Sequence, residues 1–203
     1  MNKLENLIIK IDGIFDKYIA DGGCSTVPID LEKIRNIISK ETKLEIIYQF
    51  RDWESRRVKG CLIRYEDRAI IQTLRNDKDL NECWTRFVRC KELCHLILDG
   101  AASYTDNPEQ LVHELIEVKL VAESSPAAIS ETLAEFGAIE LLFPMAIRGQ
   151  FKEMVRNEGY PILEVAKILR IPVIYVEKAM SASYVENIDL VHRQLIKDGK
   201  VNR

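Results

Sequence analysis

Arg86-Phe87-Val88-Arg89-Cys90-Lys91-Glu92-Leu93-Cys94-His95-Leu96-Ile97-Leu98-Asp99 is the stretch on which the reading of this chain turns. Its periodicity is helical. Phe87, Cys90/Lys91 and Cys94 follow one another a turn apart, and so do Val88, Glu92, His95 and Asp99. Glu92 and His95 are an i,i+3 pair and His95 and Asp99 an i,i+4 pair, so the three share one helix face.

The five residues Lys91-Glu92-Leu93-Cys94-His95 also read as an altered H-E-x-x-H. That motif sets two imidazoles at i and i+4 to hold zinc, with the Glu as general base. Glu92 and His95 stand in the base and second-His positions, and the first His is Lys91. Cys90 and Cys94, also i,i+4, admit two readings: small apolar packing residues, or soft metal ligands. Packing is favoured, because no second Cys/His pair at zinc-site spacing accompanies them.

Upstream, Leu4, Leu7, Ile8, Ile11, Ile14, Phe15 and Tyr18 form one stripe of a helix over residues 2–19, ended by Gly22-Gly23. Asp30 is placed to cap a second helix reaching about Lys40, with Leu31, Ile34, Ile37 and Ile38 inward. The period then changes to that of strands: residues 44–50, 58–65 with Gly60 inside, and 68–74, an antiparallel meander of three. The central helix is expected from Asn81 to Leu98.

Downstream, Pro108 opens a helix over 109–123 that carries the string His113-Glu114-Leu115-Ile116-Glu117, read as a solvated face. Helices are predicted over 127–143, from Pro144 to Asn157, over 162–169 and 172–181, and from Val185 to Lys197, where His192 sits among polar neighbours. The order is α-α-βββ-α-α-α followed by a small helical part, an α+β class. The expected division is a domain at 1–157 and a helical subdomain at 158–203.

Bulk properties narrow the function. The 203 residues are 47% apolar and 30% charged, as in ordinary globular domains. The net charge of -3 offers no electrostatic case for nucleic-acid binding. Neither a signal-peptide core nor an apolar run of about 18 residues is present, so a cytoplasmic protein without membrane contact is expected. Five cysteines, an odd number, suggest free thiols.

Several segments, in order, resemble the ImmA/IrrE family of zinc-peptidase-like proteins. They are Val27-Pro28-Ile29-Asp30-Leu31-Glu32-Lys33-Ile34, the strands with Gly60, Arg86-Phe87 with the Glu92-to-His95 helix, the segment Glu131 to Pro144 with its Leu141-Leu142-Phe143-Pro144 ending, and the helical pair from Ile162 to Met180. The resemblance spans residues 27 to 182. It implies a zincin-like fold with a helix-turn-helix-like C-terminal part. In active members two His of the helix and a later Glu hold zinc, the motif Glu polarises the bound water, and the substrates are repressor-type transcription factors of stress or mobile-element genes.

Carried over by position, Glu92 matches the base, His95 the second ligand, and Glu131 or Glu135 the third. Lys91 departs from the pattern. A protonated ammonium has donors and no lone pair, and it repels a cation. The resemblance with this departure implies a pseudo-protease, without cofactor, that holds a protein partner such as a repressor-type transcription factor. Lys91 is expected to pair with Glu131 or Glu135. The alternative is an active endopeptidase with zinc on rearranged ligands, drawn from His95, Glu131, Glu135, Cys94 and Asp99. Ala166, Arg170 and Val176 fit a helix-turn-helix unit, yet its second helix (Pro172 to Met180) is mostly apolar with one acid and one base. DNA reading is not expected of it, since base readers present Arg, Lys, Asn or Gln.

Overall fold

Strand β3 (Arg68–Leu74) occupies the middle of a three-stranded sheet of order β1-β3-β2, flanked by β1 (Glu45–Arg51) and β2 (Gly60–Arg64). The structure is a computed structural model and describes residues 3–24, 26–53, 58–75, 82–98 and 126–202. The predicted helix 109–123, the string His113 to Glu117, and Asp99 lie outside the described residues. The described helices of eight or more residues are α1 (Lys3–Ala20), α2 (Leu31–Thr42), α3 (Glu82–Leu98), α4 (Pro126–Leu142), α5 (Met145–Asn157), α6 (Ile162–Leu169), α7 (Val173–Met180) and α8 (Leu190–Lys197). The class is α+β. Among the described residues no helix is long and apolar enough to cross a membrane. The chain divides into two compact units, residues 35–136 and residues 1–34 with 137–203.

In the first unit the expected antiparallel meander is corrected to a mixed sheet. β2 and β3 form the antiparallel hairpin, with Leu62 opposite Ile71, and Tyr65 N–H donates to Arg68 O across the turn at 2.8 Å. β1 instead runs parallel to β3, with Tyr48 beside Ile71. The reason lies in the connection. β1 ends at Arg51 and β3 begins at Arg68, a separation in sequence of the length a parallel pair needs. β3 carries Ala69 and Ile71, each fully buried, and so takes the central place. α3 packs on β2 and β3 through Phe87, Val88, Cys90, Leu93 and Cys94. This packing needs Gly60. A Cβ there would fall inside Val88 Cγ1 and come within 3.2 Å of Gln72 O and 3.5 Å of Glu92 Oε1.

In the second unit α1 buries Leu7, Ile8, Ile11, Ile14, Phe15 and Tyr18 and packs against α8. Asp30 caps α2 as expected, accepting from the N–H groups of Glu32 (3.0 Å) and Lys33 (3.3 Å). The α6–α7 turn places Arg170 in the left-handed region at φ 53°, while Ala166 and Val176 are buried between the helices. The predicted single helix from Val185 begins instead as a π-helical turn, Val185–Asp189, and only then becomes α8. His192, which the sequence sets among polar neighbours, is on the buried side of α8 at 4% exposure.

A charge cluster with no periodic signature in the chain lies inside this unit. Arg148 on α5, 1% exposed, donates from Nη2 to Glu140 Oε1 (2.6 Å) and Phe143 O (2.9 Å) and from Nη1 to Asp189 Oδ1. Tyr184 Oη donates to the same Glu140 oxygen at 2.7 Å. Lys152 Nζ stands 3.5 Å from Asp189 Oδ2, so two cations meet two carboxylates. Burial disfavours the Arg148 charge, but Glu140, Tyr184 and Asp189 outweigh it and hold the guanidinium above its ordinary pKa. The same burial, with Glu140 adding to it, keeps the Tyr184 phenol protonated far above its usual range.

Candidate functional site

α3 carries Lys91, Glu92 and His95, and α4 carries Ser130 and Glu131. The two helices bring these side chains together within the unit of residues 35–136. Lys91 Nζ donates to Glu131 Oε2 at 2.7 Å and stands 3.1 Å from Glu92 Oε1. His95 Nε2 stands 3.2 Å from the other Glu131 oxygen, Oε1. On its far side the ring meets Ser130, with Nδ1 and Oγ 3.3 Å apart. Glu131 is thus shared, one oxygen to the ammonium and one to the imidazole, while Ser130, the preceding residue, meets the same ring from the other nitrogen.

The cluster is largely shielded from water. The side chains of Glu92, His95, Lys91 and Glu131 are 4%, 10%, 17% and 27% exposed. Shielding alone would neutralise such groups. Burial does push the Glu131 carboxyl up, but the His95 ring and the Lys91 ammonium overcome it and hold the carboxyl far below the usual carboxylate range. Burial likewise disfavours the Lys91 charge, and Glu92 and Glu131 reverse this, so the ammonium is held above the ordinary lysine range. The pair is ionic across the physiological range.

The surroundings are apolar and carry protonated thiols. Cys94 is fully buried, and burial with the neighbouring Cys90 thiol pushes its pKa well up. Cys61 on β2 is pushed to about 12, chiefly by burial, with the Glu92 charge adding to it. Both behave as packing residues rather than thiolates. Of the two candidate third-ligand residues, Glu131 meets both Lys91 and His95; Glu135 follows one turn along α4, half-buried. Ser130 joins the site without any signal in the sequence beyond its position one residue before Glu131.

The donor set does not fit a catalytic zinc. Such a site takes three protein ligands and leaves a position for water. The cluster offers His95 and Glu131, with an ammonium hydrogen-bonded to the second of them where a third ligand is required. Among the described residues no group of three His, Cys, Asp or Glu side chains has metal-holding geometry. What the arrangement does chemically is fix a charge: one cation is held between two carboxylates, and an imidazole is oriented by a serine and a glutamate.

No protein-family model, curated protein or solved structure matches the chain.

The ion pair makes stability depend on pH at both ends. Glu131 has a folded pKa below its unfolded value of roughly 4.3, so its contribution is full above that value and is lost as pH falls. Lys91 has a folded pKa above its unfolded value of roughly 10.4, so its contribution is full below that value and is lost as pH rises further. The thermal midpoint should therefore hold a plateau from about pH 5 to about pH 10 on this account. Glu131→Gln should lower the plateau and flatten its acid limb, as followed by circular-dichroism melts at stepped pH. An acid limb as steep in the variant as in the parent would show that Glu131 is not its source.

Proposed function

We propose that this chain is a catalytically degenerate relative of the ImmA/IrrE proteins, in which Lys91 stands in for zinc and the former substrate groove binds a protein partner. The partner class is a repressor-type transcription factor, and the role is regulatory, in control of stress or mobile-element genes. The zincin-like fold and the helix-turn-helix-like character of the α6–α7 pair belong to this reading. The observation that carries it is the ammonium held at 2.7 Å from Glu131 and 3.1 Å from Glu92. A positive charge there meets the need of the two carboxylates, as a metal would, and needs no ligand from solution. It also removes the water-activating group on which zinc hydrolysis depends.

Elemental mass spectrometry on protein purified without chelator tests the proposal. The expected result is no stoichiometric zinc and no uptake when zinc is added. About one zinc per chain would overturn it in favour of an endopeptidase on altered ligands, with His95 and Glu131 among them and Glu92 as base. Glu92→Gln would then abolish cleavage of a repressor.

A further inference from the structure

Strand β1 lies at an edge of the sheet, and among the described residues no strand pairs with its outer side. It is seven residues long, Glu45-Ile46-Ile47-Tyr48-Gln49-Phe50-Arg51, without proline. Natural proteins protect such edges with proline, charged side chains, short length, bulges or a covering segment, or they use them for pairing. The strand also exposes a large apolar ring: Phe50 is 49% exposed. Arg89 stacks over both Phe50 (5.0 Å) and Tyr48 (4.5 Å), and Arg35 over Tyr48 (5.3 Å), which holds the two rings in place.

The order of residues along β1 is self-complementary. Laid antiparallel on a copy of itself about a two-fold axis at Tyr48, the strand sets Glu45 against Arg51, Ile46 against Phe50, Ile47 against Gln49, and Tyr48 against Tyr48. Directly opposed residues share a face, so both ends gain an opposite-charge pair and the middle gains β-branched–aromatic and aromatic pairs. Shifting the axis to Ile47 or Gln49 shortens the ladder and loses both charge pairs. A two-fold contact requires this kind of self-match, because each patch must be its own partner.

We propose that the occupant of the β1 edge is a second copy of this chain, joined antiparallel about Tyr48 into a continuous six-stranded sheet. This inference is independent of the reading of Lys91. The Glu45–Arg51 pairs set register and partner choice, and the backbone ladder with Ile46, Tyr48 and Phe50 supplies the affinity. Arg51 Nη1 lies 3.4 Å from Gln72 Oε1 within its own sheet, and a guanidinium has donors enough to serve both contacts.

Sedimentation velocity across a concentration series, with charge-swapped variants, tests the contact. The parent should self-associate to a dimer. Glu45→Arg and Arg51→Glu, each alone, should raise the dimer Kd by about tenfold or more, since each replaces two attractive pairs by two repulsive ones. An equimolar mixture of the two variants should recover dimer. In the mixed dimer the two substituted positions face each other with opposite charge, and so do the unsubstituted Arg51 of one chain and Glu45 of the other. Recovery in the mixture cannot come from misfolding of either variant. A parent that stays monomeric at all concentrations, or single variants that dimerise as well as the parent, would overturn the proposal.

Discussion

Arg148→Met should lower the thermal midpoint by about 10 °C, from a loss of about 3–5 kcal/mol. The substitution keeps the volume near that of the aliphatic stem and removes the charge. Glu140 and Asp189, at most 4% exposed, then remain as carboxylates without their shared guanidinium. Tyr184 still donates to Glu140 and Lys152 still stands near Asp189, which places the loss toward the lower half of that range. The cost comes from stranded charge and not from the absence of a salt bridge as such. The triple variant Arg148→Met/Glu140→Leu/Asp189→Leu should therefore regain most of the midpoint, since well-packed apolar replacements of buried ion pairs are commonly neutral or stabilising. Calorimetry on the single and triple variants separates the two origins. A single variant melting within about 2 °C of the parent would mean that water or Lys152 already satisfies the acids.

Lys91→Met should cost about 2–3 kcal/mol, less than a fully buried pair because Lys91 and Glu131 retain some exposure. The thermal midpoint should fall by roughly 4–12 °C. Two carboxylates would then face each other beside His95 with no cation between them, and one of them would take up a proton. The loss should shrink toward acid pH, opposite to the usual acid destabilisation. Lys91→His sharpens the test. It should resemble Lys91→Met in the absence of metal, and added zinc should raise its midpoint while leaving the parent unchanged. With free zinc at a hundredfold over Kd, that shift corresponds to about 2.7 kcal/mol. A Lys91→Met variant as stable as the parent would remove the idea that the ammonium serves as the counter-charge.

Part of this was legible in the chain. The face shared by Glu92 and His95 followed from helical spacing, and the pairing of Lys91 was narrowed to Glu131 or Glu135, two residues one turn apart that only the packing of α4 on α3 could separate. Asp30 as a cap and the prolines before α5, α6 and α7 marked helix starts because their effects are local. The sheet was less legible. Strand length and alternation show that β1 exists, but whether it runs beside β2 or beyond β3 depends on which strand is buried on both sides. The Arg148 cluster left no periodic trace. Its partners stand 8 and 41 residues away, and each alone reads as an ordinary charged residue on a helix. The buried position of His192 was hidden too, since the polar Arg193 and Gln194 follow it directly in sequence.

The pairing of α1 with α8 has a consequence for synthesis. Asn202 donates from its backbone N–H to Asp12 Oδ2 and from its side chain to Asp16 Oδ2, each at 2.9 Å, and α8 lies against α1. α1 therefore finds α8 only after every residue between them has been made. At ordinary elongation rates that interval is roughly 10–40 s, during which the apolar stripe of Leu7, Ile8, Ile11, Ile14 and Phe15 lacks the cover that α8 gives it. The nascent chain should thus attract a holdase through α1, and a stop codon shortly before α8 should yield a product that aggregates through α1.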